Sequence, residues 1–428
     1  MKRWKKWLIW GVLGVVAIIS CLGIYVALAS WRAGARLEAL LTPLREAGEP
    51  LGLADLAREP IPPETNAAVF LRRAENDLEA IDKEFQPLHD QRATYYLGNR
   101  LTEKGAAIIA EAFGAYPNAS SLVERAAACP DYDPQHDYTF KSSPDEFIGS
   151  YLPRIQAMRM VVRVLTRRGD LLLHQGRRDD ALRNDLALLR ITRHFEHEPL
   201  LVGRLVTLAM RGIAIDHTAR VLADGPIASE LLDDLDRELS TYLDPKPMLW
   251  TLKSDRAFGI EHFQFYADIG IGGGWWLKDN ECDYLELLSG ELEVAGLPRY
   301  QVASRLTQLE AKAAGAGWLA AQTAPATQAW RDAEDRVRSV VQCLRVLSAL
   351  LAHGERTGDE SPDLAALKLP AEWTTDPYDG QPLRFKKAER GWLVYAVGND
   401  LKDDGGDLRD RADVGVGPDG LEPLEPAP

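Results

Sequence analysis

The uncharged run from Trp7 to Ala29 constrains this chain more than any other feature of its sequence. As a helix rising about 1.5 Å per residue, the run would reach roughly 34 Å, slightly more than the roughly 30 Å of hydrocarbon in a bilayer. Inside lipid every backbone N–H and C=O must be bonded within the segment, which only a helix achieves for a single span. The sequence therefore predicts that residues 1–31 form a basic flank and a transmembrane helix.

Positive charge is asymmetric about this run. Four cations precede it and two follow it closely, namely Lys2, Arg3, Lys5, Lys6, Arg32 and Arg36. By the positive-inside rule, this asymmetry holds the N-terminus in the cytoplasm. The alternative is a signal peptide cleaved after Ala29, because Ala27, Leu28 and Ala29 form an A-x-A site. The run exceeds the usual signal-peptide core of about 7 to 15 residues, which favours an uncleaved anchor in the cytoplasmic membrane. Both interpretations place the bulk of the chain outside the cytoplasm, on the periplasmic side.

The remaining chain has the composition of a folded protein. Hydrophobic residues make up 46% of the sequence and charged residues 27%, so enough apolar area is present to form a core. The formal net charge of −14 argues against nucleic acid as the main partner. Beyond Cys21 in the predicted span, only Cys129, Cys282 and Cys343 occur, so at most one intramolecular disulfide can form among them.

Apolar residues recur at helical spacing from Ala33 to about Ala352, which predicts a mainly α fold. We expect a helical extracytoplasmic domain over residues 32–324, with its clearest helices at about 67–85, 102–114, 147–169, 179–197, 200–223 and 229–243. The stretch from Arg168 to Leu182 resembles the turn of a tetratricopeptide helix pair. Its 34-residue period does not return, so a single αα-hairpin is the favoured interpretation.

The segment from Tyr266 to Leu277 interrupts the helical pattern. It contains Gly270, the triplet Gly272 to Gly274, and then Trp275 and Trp276. This composition predicts an ordered loop. The two tryptophans either pack this loop onto the core, which is the favoured interpretation, or shape a ligand cleft.

The pattern changes again near the C-terminus, where residues 325–416 are predicted to form a long helix followed by a small β-meander. Alternating apolar residues at Leu383, Phe385, Trp392 and Val394 indicate strands, and Asp379-Gly380 supplies a turn. Residues 417–428 are predicted to be a disordered tail.

This C-terminal module resembles the globular domain of type II secretion major pseudopilins. The helix of residues 325–353 is followed by Asp376-Pro-Tyr-Asp-Gly380, by Tyr395-Ala-Val-Gly-Asn-Asp400, by an acidic glycine loop and by Ala412-Asp-Val414. The order is also similar to the tails of a class of uncharacterised membrane-anchored bacterial proteins. Pseudopilins begin with a prepilin peptidase site and a helix carrying a glutamate at its fifth residue. Residues 1–29 have neither feature, so the resemblance implies a pseudopilin-like module outside filament assembly.

The pseudopilin resemblance implies a calcium ion in the acidic loop. Calcium takes about six to eight oxygen ligands, which carboxylates beside glycine turns can supply. By position, the resemblance makes five aspartates the expected metal ligands, namely Asp400, Asp403, Asp404, Asp407 and Asp413. The EF-hand template does not fit, because Lys402 and Arg411 stand at its third and twelfth positions. A solvated acidic loop without an ion is the alternative.

Standard catalytic signatures are missing from the sequence, including G-x-S-x-G, S-x-x-K, H-E-x-x-H and the P-loop. The most metal-like cluster, His194-Phe-Glu-His-Glu198, matches no zinc-enzyme order and is interpreted as structural. The favoured hypothesis is a non-enzymatic, membrane-anchored protein that binds other proteins or envelope material. The alternatives are an enzyme of an unrecognised class, with its site near Gly270 to Trp276, and an accessory component of a secretion apparatus.

Overall fold

The computed structural model describes residues 2–140, 142–270, 274–324, 327–358, 362–388, 390–409 and 412–421. Helices make up 71% of these described residues. Strands contribute one two-stranded and one three-stranded antiparallel sheet within these ranges. The mainly α class predicted from the sequence is therefore confirmed.

The first helix, α1 (Lys2–Glu46), is a single uninterrupted element of 45 residues. From Trp7 onwards it is apolar and long enough to cross a membrane, and its apolar window is not buried in the protein. Its second half belongs to the body, because Ala33 is buried and leucines such as Leu37 and Leu44 pack into a core. The predicted boundary between residues 31 and 32 therefore falls inside a continuous helix.

The next part of the body is a set of short helices and one hairpin. After a short 3₁₀ turn (Leu53–Leu56) the elements are α2 (Ala67–Glu84), α3 (Gln86–Asp90), α4 (Arg92–Tyr95), β1 (Tyr96–Leu97), β2 (Arg100–Leu101), α5 (Glu103–Ala115) and α6 (Pro117–Ala128). Local capping fixes two of their starts. The Asn66 side chain accepts the Ala68 N–H at 3.0 Å, and Thr102 Oγ1 accepts the Gly105 N–H at 3.3 Å.

The centre of the body is built from longer helices, namely α7 (Asp145–His174), α8 (Arg178–His194), α9 (Leu201–Ala223) and α10 (Ser229–Leu239). The turn between α7 and α8 contains Gly176 with φ of 70°, a conformation that glycine adopts without a Cβ penalty. The predicted αα-hairpin is therefore present. Helix α9 is central, since even its polar residues Thr207 and Thr218 are buried.

A second helical group follows, consisting of α11 (Lys246–Asp268), α12 (Gly274–Val294), α13 (Arg299–Gly315) and α14 (Trp318–Thr323). The prediction of a loop from Tyr266 to Leu277 is wrong at both ends. Helix α11 continues to Asp268 and α12 begins at Gly274, so Trp275 and Trp276 are helical. Residues 271–273 lie outside the described ranges. Packing of α11 on α12 and of α12 on α1 stabilises helix beyond the limits that the glycine cluster suggests.

The C-terminal module comprises α15 (Thr327–Thr357), a 3₁₀ turn (Ala365–Leu367), α16 (Ala371–Thr374), β3 (Arg384–Ala388), β4 (Gly391–Val397) and β5 (Asp413–Val416). The sheet order is β3-β4-β5, with Phe385 opposite Val394 and Tyr395 opposite Gly415. Buried residues of β4 and β5 share the main core with α15. The predicted order of a long helix and then a meander is thus present.

Residues 417–421 differ from the predicted disordered tail. Gly417 and Gly420 exchange backbone hydrogen bonds of 2.9 and 3.0 Å, and the Leu421 N–H donates to Asp216 Oδ1 of α9 at 2.9 Å. These contacts hold the turn against the body. The rest of the predicted tail, residues 422–428, lies outside the described ranges.

Two apolar clusters hold most of the buried side chains. The larger one joins α2 and α5 through α10 to α15 and the three-stranded sheet. The smaller one joins the second half of α1 to α11, α12 and α14. All four cysteines are free thiols, so burial rather than cross-linking stabilises both clusters.

Candidate functional site

A cavity of about 390 Å³ opens beside the α11–α12 helix pair, close to the glycine- and tryptophan-rich segment singled out in the sequence. Its lining includes Asp255, His262 and Tyr266 of α11, Tyr284 of α12 and Trp318 of α14. The cavity is large enough for a small organic molecule or a side chain. Titratable groups therefore face a ligand-sized space in this part of the structure.

Close helix packing positions the cavity wall. A Cβ on Gly259 would lie 2.1 Å from the Tyr284 hydroxyl oxygen, so only glycine lets the tyrosine ring approach α11. The Tyr284 hydroxyl donates to the Asp255 backbone carbonyl at 2.9 Å. The Tyr284 ring is buried, which ties the two helices together beneath the cavity.

Asp255 is the acidic group of this cavity. Burial raises the pKa of Asp255 to about 6, although its Oδ1 accepts the Leu201 N–H of α9 at 3.1 Å. His262 lies about two turns beyond Asp255 along α11. Its Nδ1 is 3.2 Å from the Phe258 carbonyl oxygen and its Nε2 is 3.1 Å from Asp145 Oδ1. Each ring nitrogen of His262 therefore faces an oxygen atom of a neighbouring residue. A carboxyl titrating near neutrality in such a cavity has the properties of a general acid or base.

A second carboxyl with a raised pKa lies on α12. Glu281 is 7% exposed and has no hydrogen-bond or ion-pair partner among the described residues. Burial raises the pKa of Glu281 to about 7, with Lys278 acting in the opposite direction. The α11–α12 pair thus carries two carboxyls whose charged forms are disfavoured by burial.

Three of the five predicted calcium ligands, Asp403, Asp407 and Asp413, accept hydrogen bonds from protein groups. Asp403 accepts from Arg384 at 3.1 Å and from the Tyr395 hydroxyl at 3.2 Å, and Asp407 pairs with Arg409 at 2.6 Å. Asp413 is buried and accepts the Gly406 N–H at 2.7 Å.

The other two predicted ligands, Asp400 and Asp404, are exposed. Lys402 lies 3.4 Å from Asp400. Within the described residues, no group of three or more His, Cys, Asp or Glu side chains is arranged to hold a metal ion. Asp410 and Arg411 of the loop lie outside those residues. The calcium site therefore stays a prediction.

The His194 to Glu198 cluster is divided between different partners. Burial lowers the pKa of His194 to about 4, and its ring stacks on Tyr132 with centroids 6.1 Å apart. Glu196 pairs with Arg204 at 3.2 Å and with Arg211. These separate ion pairs and stacking contacts fit the structural interpretation.

Glu198 lies at the end of the same cluster but belongs to a different network. It accepts from the Tyr132 hydroxyl at 3.0 Å and contacts His136 Nε2 at 2.9 Å. Both oxygens of the Glu198 carboxylate are thereby engaged, one by Tyr132 and the other by His136.

A buried ionic network that the sequence does not reveal lies beneath another cavity, of about 430 Å³, between α7, α9 and the 417–421 turn. His217 Nδ1 lies 2.8 Å from Asp185, and its Nε2 lies 3.6 Å from Asp170. Burial opposes ionisation of the ring, yet the two carboxylates raise the pKa of His217 to about 9. Asp170 also accepts from the Tyr96 hydroxyl at 2.8 Å and from Arg220 at 3.2 Å. This network joins three helices and the β1–β2 hairpin.

The fold and the site define a class, namely a predominantly helical protein with one N-terminal helix long and apolar enough to cross a membrane. Comparisons of the chain with protein-family models, with curated proteins and with solved structures each gave no match.

Proposed function

We propose that this chain is a single-pass membrane protein, with its N-terminus in the cytoplasm, whose helical body binds another envelope protein outside the cytoplasm. The observation that carries the proposal is the continuity of α1 from its apolar run into the core of the body. A flexible linker would let the body move freely relative to the span, whereas an unbroken helix holds the body at a fixed height and orientation.

Ion pairs reinforce the packing of α1 on α12. Arg36 donates to Asp283 at 3.0 Å and to Glu286 at 2.7 Å. Lys312 of α13 reaches the same Glu286 at 2.9 Å, so the interaction continues into the next helix. Exposed pairs of this kind contribute little individually, about 0 to 1 kcal/mol each, but they fix the register of α1 on the body.

The surface we assign to the partner is a mainly apolar groove of about 640 Å³ between α9, α15 and the segments that follow α15. Leu205, Leu208 and Val337 contribute to its lining, and Ile213 on its wall is 43% exposed. Apolar side chains in an open groove favour a protein partner over a small polar ligand. The pseudopilin-like order of this module supports a second form of the same proposal, in which the partner is a component of a secretion apparatus.

Localisation and binding can be tested together in cells. The full chain, tagged at its C-terminus, should stay in membranes through carbonate extraction, and protease should reach the tag in spheroplasts. A photo-crosslinking residue at Ile213 should give a discrete adduct, whereas the same residue at Leu152, which is 44% exposed on α7, should not. A tag shielded from protease would contradict the topology, and equal labelling from both positions would contradict the groove.

An enzyme with its site at the Asp255 cavity is the second candidate. It is favoured by the raised pKa of Asp255 together with His262 and four aromatic rings in one ligand-sized cavity. A panel of amines, dipeptides, sugars and lipid headgroups can be screened for compounds that raise the melting temperature. A compound that stabilises the wild type but not Asp255→Asn would support this site. Equal stabilisation of both proteins would exclude Asp255 as a contact.

A further inference from the structure

The α11–α12 pair runs beside α1, and α12 is parallel to it. Trp275 contacts Tyr25 edge to face with ring centroids 6.4 Å apart, Cys282 Sγ lies 3.9 Å from the Ala33 carbonyl oxygen, and Arg36 pairs with Asp283. The two helices therefore keep nearly the same register over several turns. The start of α12 and the end of α11 consequently lie at the level of the apolar run.

The position of Tyr25 along α1 gives the depth of Trp275. Tyr25 precedes the last residue of the apolar run, Ala29, by four residues. At about 1.5 Å per residue, the Trp275 ring lies about 6 Å inside the end of the run. If α1 spans a bilayer, this depth corresponds to the boundary between hydrocarbon and headgroups.

The side chains at this level have the composition of a membrane interface. We define the hairpin tip as Phe265, Tyr266, Ile269, Trp275 and Trp276. Ile269 is 53% exposed, and the four aromatic rings are half-buried. Tryptophan and tyrosine concentrate at the headgroup level, where one end of the ring is apolar and the other can hydrogen-bond.

Charged groups near the hairpin tip are compatible with headgroup contact. Asp268 is exposed at the end of α11, and Lys278 is exposed one turn beyond Trp275 on α12. Lys278 Nζ would lie 3.5 Å from a Cβ on Gly34, above the apolar run. Its ammonium is therefore placed on the headgroup side of the tryptophans, where it can reach lipid phosphate.

We propose that the hairpin tip is a second membrane contact, which inserts into the lipid interface beside the α1 span. The proposal rests on the proposed anchoring of α1 and adds that the body touches the bilayer surface. Because Tyr266 and His262 line the Asp255 cavity, this contact also brings the cavity close to the lipid headgroups.

Nitroxide labels on the full chain in phosphatidylcholine and phosphatidylglycerol vesicles test the contact. Native Cys21 reports on the span, since the other three cysteines are buried. Two variants in a Cys21→Ser background, Ile269→Cys and Leu297→Cys, place labels near opposite ends of α12. Leu297 is 43% exposed and lies about 30 Å from the hairpin tip, given the 21 residues of α12.

For each label, the collision rates with oxygen, which partitions into lipid, and with a water-soluble nickel chelate report whether the label lies in lipid or in water. The label at residue 269 should collide several-fold less with the nickel chelate, and more with oxygen, than the label at residue 297. Equal nickel collision at both positions, with the Cys21 label in hydrocarbon, would overturn the hairpin-tip contact and leave the anchor intact. A Cys21 label exposed to nickel would overturn the anchor, and the contact with it.

Discussion

Replacing Glu281 with glutamine should stabilise the protein at alkaline pH. The pKa of Glu281 is raised from 4.5 to about 7 by burial. At about 1.36 kcal/mol per pKa unit, the charged form costs the folded state about 3 kcal/mol once the pH is above both values. The pKa of Glu281 is higher in the folded state than in the unfolded state. Burial of this side chain therefore costs no stability through ionisation below pH 4.5, and the cost grows as the pH rises from 4.5 to about 7.

Glutamine keeps the size and polarity of the side chain and cannot ionise. The free energy of unfolding of the Glu281→Gln variant should therefore exceed that of the wild type by about 3 kcal/mol at pH 8. At pH 5 the two values should differ by less than about 1 kcal/mol. With about 2.1 cal/mol/K of unfolding entropy per residue over 428 residues, this gain corresponds to about 3 °C in melting temperature. Differential scanning calorimetry of the detergent-solubilised protein at both pH values measures it.

Glu310→Gln is the matched control, because Glu310 is exposed on the neighbouring helix α13. Its free energy of unfolding should change by no more than an ordinary surface substitution causes, about 0.5 kcal/mol, at both pH values. An equal shift of Glu281→Gln at pH 5 and pH 8 would show that glutamine acts through packing and not through charge. A loss of stability at pH 8 would refute the burial argument altogether.

Three further outcomes are expected. Gly259→Ala should destabilise the protein by about 1 to 3 kcal/mol in a thermal unfolding assay, because the added Cβ would overlap the Tyr284 hydroxyl. In the same assay, the control Gly149→Ala, on an open face of α7, should stabilise the protein by about 0.5 to 1 kcal/mol. His217→Gln should lower the free energy of unfolding by about 3 to 5 kcal/mol near pH 6 and by less above pH 9. The pKa of His217 is raised to about 9 in the folded state, so the stability from its ion pairs is fully present below pH 6.5 and is lost as the pH rises through 9. If the acidic loop binds calcium, millimolar calcium should raise the melting temperature relative to EDTA, and Asp403→Asn should abolish that rise; an unchanged melting temperature would count against the ion.

The long amphipathic helices were predictable because local signals agree with the final packing. Asn66 and Thr102 cap α2 and α5 close to the predicted starts, and the apolar periodicity of α9 continues to its end. The strands of the C-terminal module were predictable from alternation around Asp379-Gly380. In these segments propensity, periodicity and tertiary contacts favour the same structure.

The α11–α12 region was predicted wrongly because tertiary packing outweighs local composition there. Glycine near residue 270 indicates a break, yet Gly259 and Tyr284 interlock the two helices, and α1 covers α12. Contacts with an element more than two hundred residues away leave no mark on local periodicity. The continuation of α1 to Glu46 was missed for the same reason.

The candidate site was only partly predictable. The glycine and tryptophan segment lies close to the Asp255 cavity, but the carboxyl of that cavity was not identifiable from the sequence. In the sequence, Asp255 lies between Ser254 and Arg256, in what reads as an ordinary polar helical stretch. Its raised pKa arises from helices that assemble around it, so only the fold reveals it. Similarly, the pairing of Asp403 with Arg384 depends on where strand β3 lies.

The continuity of α1 also affects how the chain is processed. Peptidases bind their substrates as extended backbone, but Ala27 to Ser30 are helical and lie directly before the buried Ala33. Cleavage after Ala29 therefore requires local unwinding of a helix that the body holds on one side, which slows proteolysis of the folded protein. If cutting occurs during export, before α12 has folded onto α1, the remaining segment from Ser30 to Glu46 can still occupy its place, and the released body would keep the same core.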